Sequence, residues 1–189
     1  MMLSPVLTVA PATTPVTLPE AKAHLRVLHD DDDDLIVSLI ETATAYLDGW
    51  SGVLGRAIMT QTWRQNFSAF GEAMRLALGP VASVTSITYF DGSNVSRTLA
   101  TSVYALFTDA RGSYVALKPD QTWPATYGRE DAVSITFAAG ADAAPAPIKT
   151  AILIHVAHLY MHRGAVGDQT STLPLSHQAL IAPHRKVGV

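Results

Sequence analysis

Residues 17–52 read TLPEAKAHLRVLHDDDDDLIVSLIETATAYLDGWSG, and this stretch decides the fold. Thr17 and Glu20 have the spacing of a capping box, in which two side chains close two orphan backbone donors at a helix start. Pro19 falls in the first turn, where a missing N–H costs nothing. The spacing predicts a helix from Glu20 to about Val27, with Ala21, Leu25 and Val27 on one apolar side. After Asp30, Asp31, Asp32, Asp33 and Asp34, apolar residues recur at Leu35, Ile36, Leu39, Ile40, Ala43, Leu47 and Trp50. That is the repeat of an amphipathic helix, about 18 residues or roughly 27 Å long. Gly49 and Gly52 close it, as glycines often do at helix C-termini. A short helix, an acidic elbow and a long helix make an αα-hairpin whose apolar stripe needs a partner. The candidate partner begins a hundred residues on, at Ile148.

From Ala57 to Gly140 the texture changes to short strands with turn signals. Met59, Trp63 and Phe67 share a face at period two, and Met74, Leu76 and Leu78 alternate before Gly79-Pro80. Val84–Phe90, a turn at Asp91-Gly92 and Val95–Leu99 form a hairpin. Val103–Phe107, Tyr114–Leu117 and Val133–Phe137 complete the set, and Trp123-Pro124 anchors a loop. The expected fold is α+β: a helical bundle, made of the N-terminal αα-hairpin and C-terminal helices, with an inserted small antiparallel β barrel or sandwich. The segments are an extended arm over 1–16, a helical core over 17–56 and 141–189, and a β domain over 57–140. Pro147 opens a helix from Ile148 to about Arg163 that is apolar nearly all round, as a helix buried by other elements is. A flexible loop is expected over Gly164–Thr172. Ser176 is placed as the cap of a last short helix, with Ala179, Leu180 and Ile181 inside, Pro183 as its stop, and a basic tail of His184, Arg185 and Lys186.

Hydrophobic residues make up 48 % of the 189 residues and charged residues 15 %. So little charge on so much apolar content fits a surface partly covered by other subunits. The net charge of −3 argues against a dedicated nucleic-acid binder, which carries a basic stripe. Without cysteine there is no disulfide framework and no thiolate metal site. The first sixteen residues lack a basic n-region and hold Pro5, Pro11 and Pro15, so they do not read as a signal peptide. No apolar run is long enough for a membrane helix.

Two clusters invite metal chemistry. His155, His158 and His162 fall on one helix face, and imidazoles are zinc ligands. Their spread of about 10 Å along the axis keeps all three from one ion, and no His-Glu-x-x-His motif accompanies them. The aspartates lack the glycine and terminal Glu of a calcium loop; as caps and first-turn charges they favour the positive end of the long helix. Asn94-Val95-Ser96 has the form of a glycosylation sequon but reads as a hairpin turn. No phosphate loop, nucleophile elbow or nucleophile–base pair is visible. The residues point to a non-enzymatic, oligomeric module with no cofactor. The alternatives are a metal-dependent enzyme using the histidine helix and a DNA-binding module.

The run Thr17–Val27 followed by the aspartates and Leu35-Ile36 resembles the opening of the head–tail connector (adaptor) proteins of long-tailed bacteriophages and gene transfer agents. Gly55-Arg56-Ala57 with Thr60-Gln61-Thr62-Trp63 is similar to the segment that follows in that family. Pro80–Ile87 and Gln121-Thr122-Trp123-Pro124 are similar to its β-region motifs. Pro147–Leu153 and Leu180-Ile181-Ala182-Pro183-His184-Arg185 are similar to its closing elements.

The resemblance implies a structural virion protein at the head–tail interface, assembled in the host cytoplasm. It would form a homo-oligomeric ring, commonly a dodecamer, below the portal. Such a ring extends the DNA channel without specific DNA binding and meets a neck, stopper or tail-terminator protein. The expected portal-docking residues are Leu180, Ile181, Pro183, His184 and Arg185. The expected subunit-interface or core residues are Leu153, Ile154, Leu39 and Leu47. A net negative chain suits a channel through which DNA slides, since phosphate binding requires Lys and Arg.

Overall fold

The computed structural model describes residues 2–162 and 173–186; the loop expected over 164–172 lies outside them. The protein is α+β and divides into two compact units. One is the β unit, comprising the residues up to Ala12 and Thr60–Ala141. The other is the helical unit, comprising Thr13–Met59 and the residues from Asp142 on.

The helical unit contains α1 (Leu18–Leu25), α2 (Asp33–Leu47), α3 (Ala146–Met161), α4 (Leu175–Ile181) and a final 3₁₀ turn, Ala182–His184. The capping box forms as the spacing predicts: Glu20 N–H donates to Thr17 Oγ1 at 3.4 Å, and Thr17 N–H donates to Glu20 Oε2 at 2.8 Å. Arg26 ends α1 in the left-handed region at φ 58°. The long helix ends earlier than expected, at Leu47. Gly49, at φ 79°, turns the chain away, and Gly52 sits so close to the helix end that a Cβ would lie 2.2 Å from the Asp48 carbonyl oxygen. That closeness, rather than helix continuation, explains the glycine. Ile36, Ile40, Ala43 and Leu47 of α2 meet Ile148, Ala151, Ile152 and Val156 of α3, with Val16, Ala21, Leu54 and Ile181 in the same buried cluster. Fully burying an aliphatic side chain of this kind stabilises by about 1.5–3 kcal/mol.

The β unit holds β1 (Val6–Val9), β2 (Gln61–Phe67), β3 (Met74–Arg75), β4 (Val81–Phe90), β5 (Ser96–Thr98), β6 (Tyr104–Asp109), β7 (Gly112–Leu117) and β8 (Val133–Ala139). They form a five-stranded sheet, β1-β2-β8-β4-β5, and a three-stranded sheet, β3-β7-β6, with every pairing antiparallel. Each sheet ends in two edges, so no closed barrel forms among the described residues. Closure needs the end strands to pair in a fixed stagger, and here they are β1 and β5, four and three residues long. Part of the N-terminal arm is itself a strand: β1 pairs with β2, Leu7 facing Trp63, and covers a ladder edge that would otherwise stay open.

Along β2, Gln61, Trp63, Gln65 and Phe67 are buried in strict alternation. Gln65 is fully buried; its Oε1 accepts from Ala77 N–H at 2.9 Å, and its amide donates to the Arg75 carbonyl at 3.4 Å. Trp123 anchors its loop as expected, donating Nε1–H to the Gly71 carbonyl at 3.1 Å and stacking on Phe70 at 4.6 Å. Asn94 occupies the hairpin turn at φ 60°, where Asp91 Oδ1 accepts from the Ser93 and Val95 amides.

Candidate partner-binding surfaces of the helical unit

The last described residues carry the expected docking set. Pro174, not Ser176, stands at the N-cap of α4, without a side-chain cap bond. Proline presets the φ of a first turn without needing a donor, which lets the helix begin one residue before the serine. The buried side chains of α4 are His177 and Ile181. Ala179, expected inside, is exposed, and Leu180 is half-buried against the core. A helix of seven residues has room for one apolar stripe, and His177 and Ile181 are the i, i+4 pair that occupies it. Pro183 and Arg185 are exposed and His184 is half-buried. The tail is held to the α2–β2 connection by two bonds: Lys186 N–H donates to the Leu54 carbonyl at 2.8 Å, and Arg56 donates to the His184 carbonyl at 3.3 Å. The docking set thus divides. Ile181 and, in part, Leu180 serve the subunit's own core, while Pro183, His184 and Arg185 face outward beside Arg56.

The four residues expected at subunit contacts or in the core also divide. Leu47 is wholly buried in the cluster, and Leu39 and Leu153 are half-buried against it. Ile154 is half-buried midway along α3, and Met161 at the end of the helix is 76 % exposed. The helix is apolar all round in sequence, but its buried residues (Ile148, Ala151, Ile152, His155 and Val156) lie along one side.

The acidic elbow works differently from a side-chain cap. Asp32 is at the N-cap of α2 but makes no side-chain cap bond; its Oδ2 instead accepts the Tyr160 hydroxyl of α3. Lys22 of α1 donates to Asp30 and Asp33, each at 2.6 Å, which raises the lysine's pKa and lowers that of Asp30. Asp33 and Asp34 keep the first-turn position favourable to the helix dipole. At the other end, Lys149 Nζ lies 2.6 Å from Glu20 Oε1. This bond, with the Thr17 donors, lowers the Glu20 pKa to about 2. Asp32 and Glu20 therefore tie the first hairpin to α3, while Asp30 and Asp33 close the hairpin on Lys22, roles that no local pattern announces.

The three histidines of α3 are not gathered into one centre. His158 and His162 lie 4.8 Å apart, ring to ring. His155 turns inward to Tyr46 of α2 at 5.1 Å and to His177 of α4 at 5.4 Å. Among the described residues no group of three or more His, Asp or Glu side chains is placed to hold an ion. In the β unit, an open cleft lined by Glu72, Arg75, Asp109, Tyr114 and Trp123 is occupied by its own ion pair. Arg75 binds both Asp109 oxygens, at 3.0 and 2.7 Å, and its guanidinium lies 5.1 Å over the Tyr114 ring.

Residues 15–69 match the family model described as phage gp6-like head–tail connector protein. The fold recurs over nearly the full length in chains from three gene transfer agent structures. One is the neck of an empty gene transfer agent particle computed with C6 symmetry, with TM-score 0.77 and 22 % identity over 99 % of this chain and 97 % of that one. A second is the virion of a native gene transfer agent particle, with TM-score 0.77, 23 % identity and the same coverage. A third is the neck of a native particle computed with C12 symmetry, with TM-score 0.69 and 26 % identity over 97 % of each chain. No curated protein matches. The N-terminal segment of this chain thus carries the gp6-like head–tail connector pattern, and the whole chain has the fold of proteins in gene transfer agent particles.

Proposed function

We propose that this protein is a structural virion protein of a phage or gene transfer agent, a ring-forming connector at the head–tail interface. The observation that carries the reading is the fold likeness over 97–99 % of the chain to proteins of gene transfer agent particles, joined to the connector-family match at 15–69. The ring is read as a dodecamer, in keeping with the C12 symmetry of one such neck. The half-buried apolar side of α3, with Ile154, suits lateral contact between copies. The outward residues Pro183, His184 and Arg185 are assigned to portal docking, with Leu180 and Ile181 holding their helix in place. The far side of the ring meets a neck, stopper or tail-terminator protein. DNA passes through the lumen without specific binding, consistent with a net charge of −3. The role is architectural and requires no catalytic residue.

The test is a pull-down of portal protein by the full chain and by a chain lacking Ser176–Val189, with circular dichroism as folding control. The truncated form is expected to fold and to lose portal binding, giving filled heads without tails. Equal binding by both forms would move the docking surface to the β unit or the acidic elbow.

A further inference from the structure

The seat of α4 contains two buried histidines that face each other. His177 is 1 % exposed and His155 is 7 % exposed; their rings meet edge to face at 5.4 Å. Tyr46 of α2 covers the pair, 5.1 Å from His155 and 6.3 Å from His177. Nδ1 of His155 and Nε2 of His177 find no hydrogen-bond partner among the described residues. The surroundings are aliphatic, since Ile152, Val156 and Ile181 belong to the adjoining core. Of the two buried side chains that attach α4, one is therefore titratable.

We infer that His155 and His177 form a proton-operated latch, which holds α4 on the helical core when both are neutral and releases it when they are charged. A charge in this site is almost wholly buried, and no carboxylate among the described residues pairs with either ring. Burial acts on both rings, and the further influences on His155 are His177 and His158, both of its own sign when charged. Tyr46 is the group contributed by α2. Burial first, then these neighbours, push the His155 pKa down to about 4, and burial pushes His177 down as well. The sign follows directly. A histidine whose pKa is depressed in the docked state stabilises docking fully above the ordinary value near 6.5, and that contribution is lost as pH falls towards the depressed value. Each proton taken up on release multiplies the released fraction by up to about tenfold per pH unit. The latch acts within one subunit and does not depend on what the tail binds.

The native chain has no cysteine, so Ile181→Cys gives a single buried reporter. Its reaction with an acid-tolerant disulfide reagent is measured from pH 7.5 to 5 and normalised to a free peptide of residues 175–186. The expected result is a rise of about tenfold or more, falling below about threefold when His155→Phe and His177→Phe are added. Amide exchange of the unaltered chain is the second measurement, with α4 expected to lose protection at a higher pH than α2. A flat normalised rate, an equal rise in the phenylalanine background, or loss of α4 and α2 protection in step would each overturn the latch.

Discussion

The two units differ in how far along the chain their polar ties reach. In the β unit the ionic contacts are of short or middle range: Arg129 meets Asp131 two residues away, Arg97 meets Asp91 six residues away, and Arg75 meets Asp109 34 residues away. In the helical unit Lys22 reaches Asp30 and Asp33 over eight and eleven residues, but the longest ties go much further: Lys149 to Glu20 spans 129 residues, and Tyr160 to Asp32 and Arg56 to His184 span 128 each. The β unit is stitched by ladders and turns, whereas the helical unit is clasped where two distant segments meet. Closing a long loop costs entropy only slowly with length, so a few clasps over a shared apolar core suffice. The lesson is that one chain can build one unit as an insertion without weakening the other, provided the interrupted unit places its polar ties across the joint.

The strongest way to break that contrast is at the helical joint. Leu153→Asp, against the core, should destabilise folding by about 3 kcal/mol or more, because it buries an unpaired charge. Ile154→Asp, outside the core cluster, should leave a folded chain that no longer assembles. Denaturant melts and sedimentation of both variants separate the two outcomes; identical behaviour would show that α3 has no such sidedness. In the β unit, Gln65→Leu removes the side-chain acceptor of the Ala77 amide and the donor to the Arg75 carbonyl and should cost about 1 kcal/mol, read from the same melts. A neutral result there would mean that the buried amide finds another acceptor.

Smaller effects test the clasps. Tyr160→Phe should lower stability by about 1 kcal/mol through loss of the hydroxyl held by Asp32. Thr17→Ala should cost about 1 kcal/mol as a lost cap. The acid dependence of Glu20 follows from its lowered pKa. Its contribution is present above the ordinary value of 4.5 and is lost as pH falls through about 2. Because its side chain is 41 % exposed, solvent screening holds the Lys149 pair to below about 1 kcal/mol. Glu20→Gln should therefore flatten the stability profile slightly below pH 4.5 and lower the neutral plateau by the same amount, less than about 1 kcal/mol. Smallest of all, Asp31→Asn should leave the melting temperature unmoved, with or without calcium; a calcium-dependent rise of several degrees would return the elbow to a metal role.

Much of the fold was legible because its signals are periodic or local. The capping box at Thr17 and Glu20, the stripe Ile36–Ile40–Ala43–Leu47 and the alternation Trp63–Gln65–Phe67 each follow from one helix or strand geometry. The hairpin at Asp91–Asn94 was legible for the same reason. The outward site was half legible: Pro183, His184 and Arg185 stand out as an apolar-to-basic tail, but nothing local says that Ile181 belongs to the core or that Arg56 holds the tail. His177 gave no signal, because a lone histidine between Ser176 and Gln178 looks solvated until Tyr46 and His155 cover it.

By itself the sequence determined the elements, because helix and strand periods and turn chemistry act over a few residues. It also carried the connector pattern that the family model matches at residues 15–69. Tertiary structure alone decided which elements meet: β1 on β2, two open sheets in place of a barrel, α4 against α3, and the aspartates turned from caps into ties for Lys22 and Tyr160. The physical reason is that a polar group left without its bond inside a fold costs more than the bond yields in water. The partners of Asp32 and Gln65, and the Lys149 partner of Glu20, are therefore chosen by what packing brings within reach, and a sequence window contains no record of that.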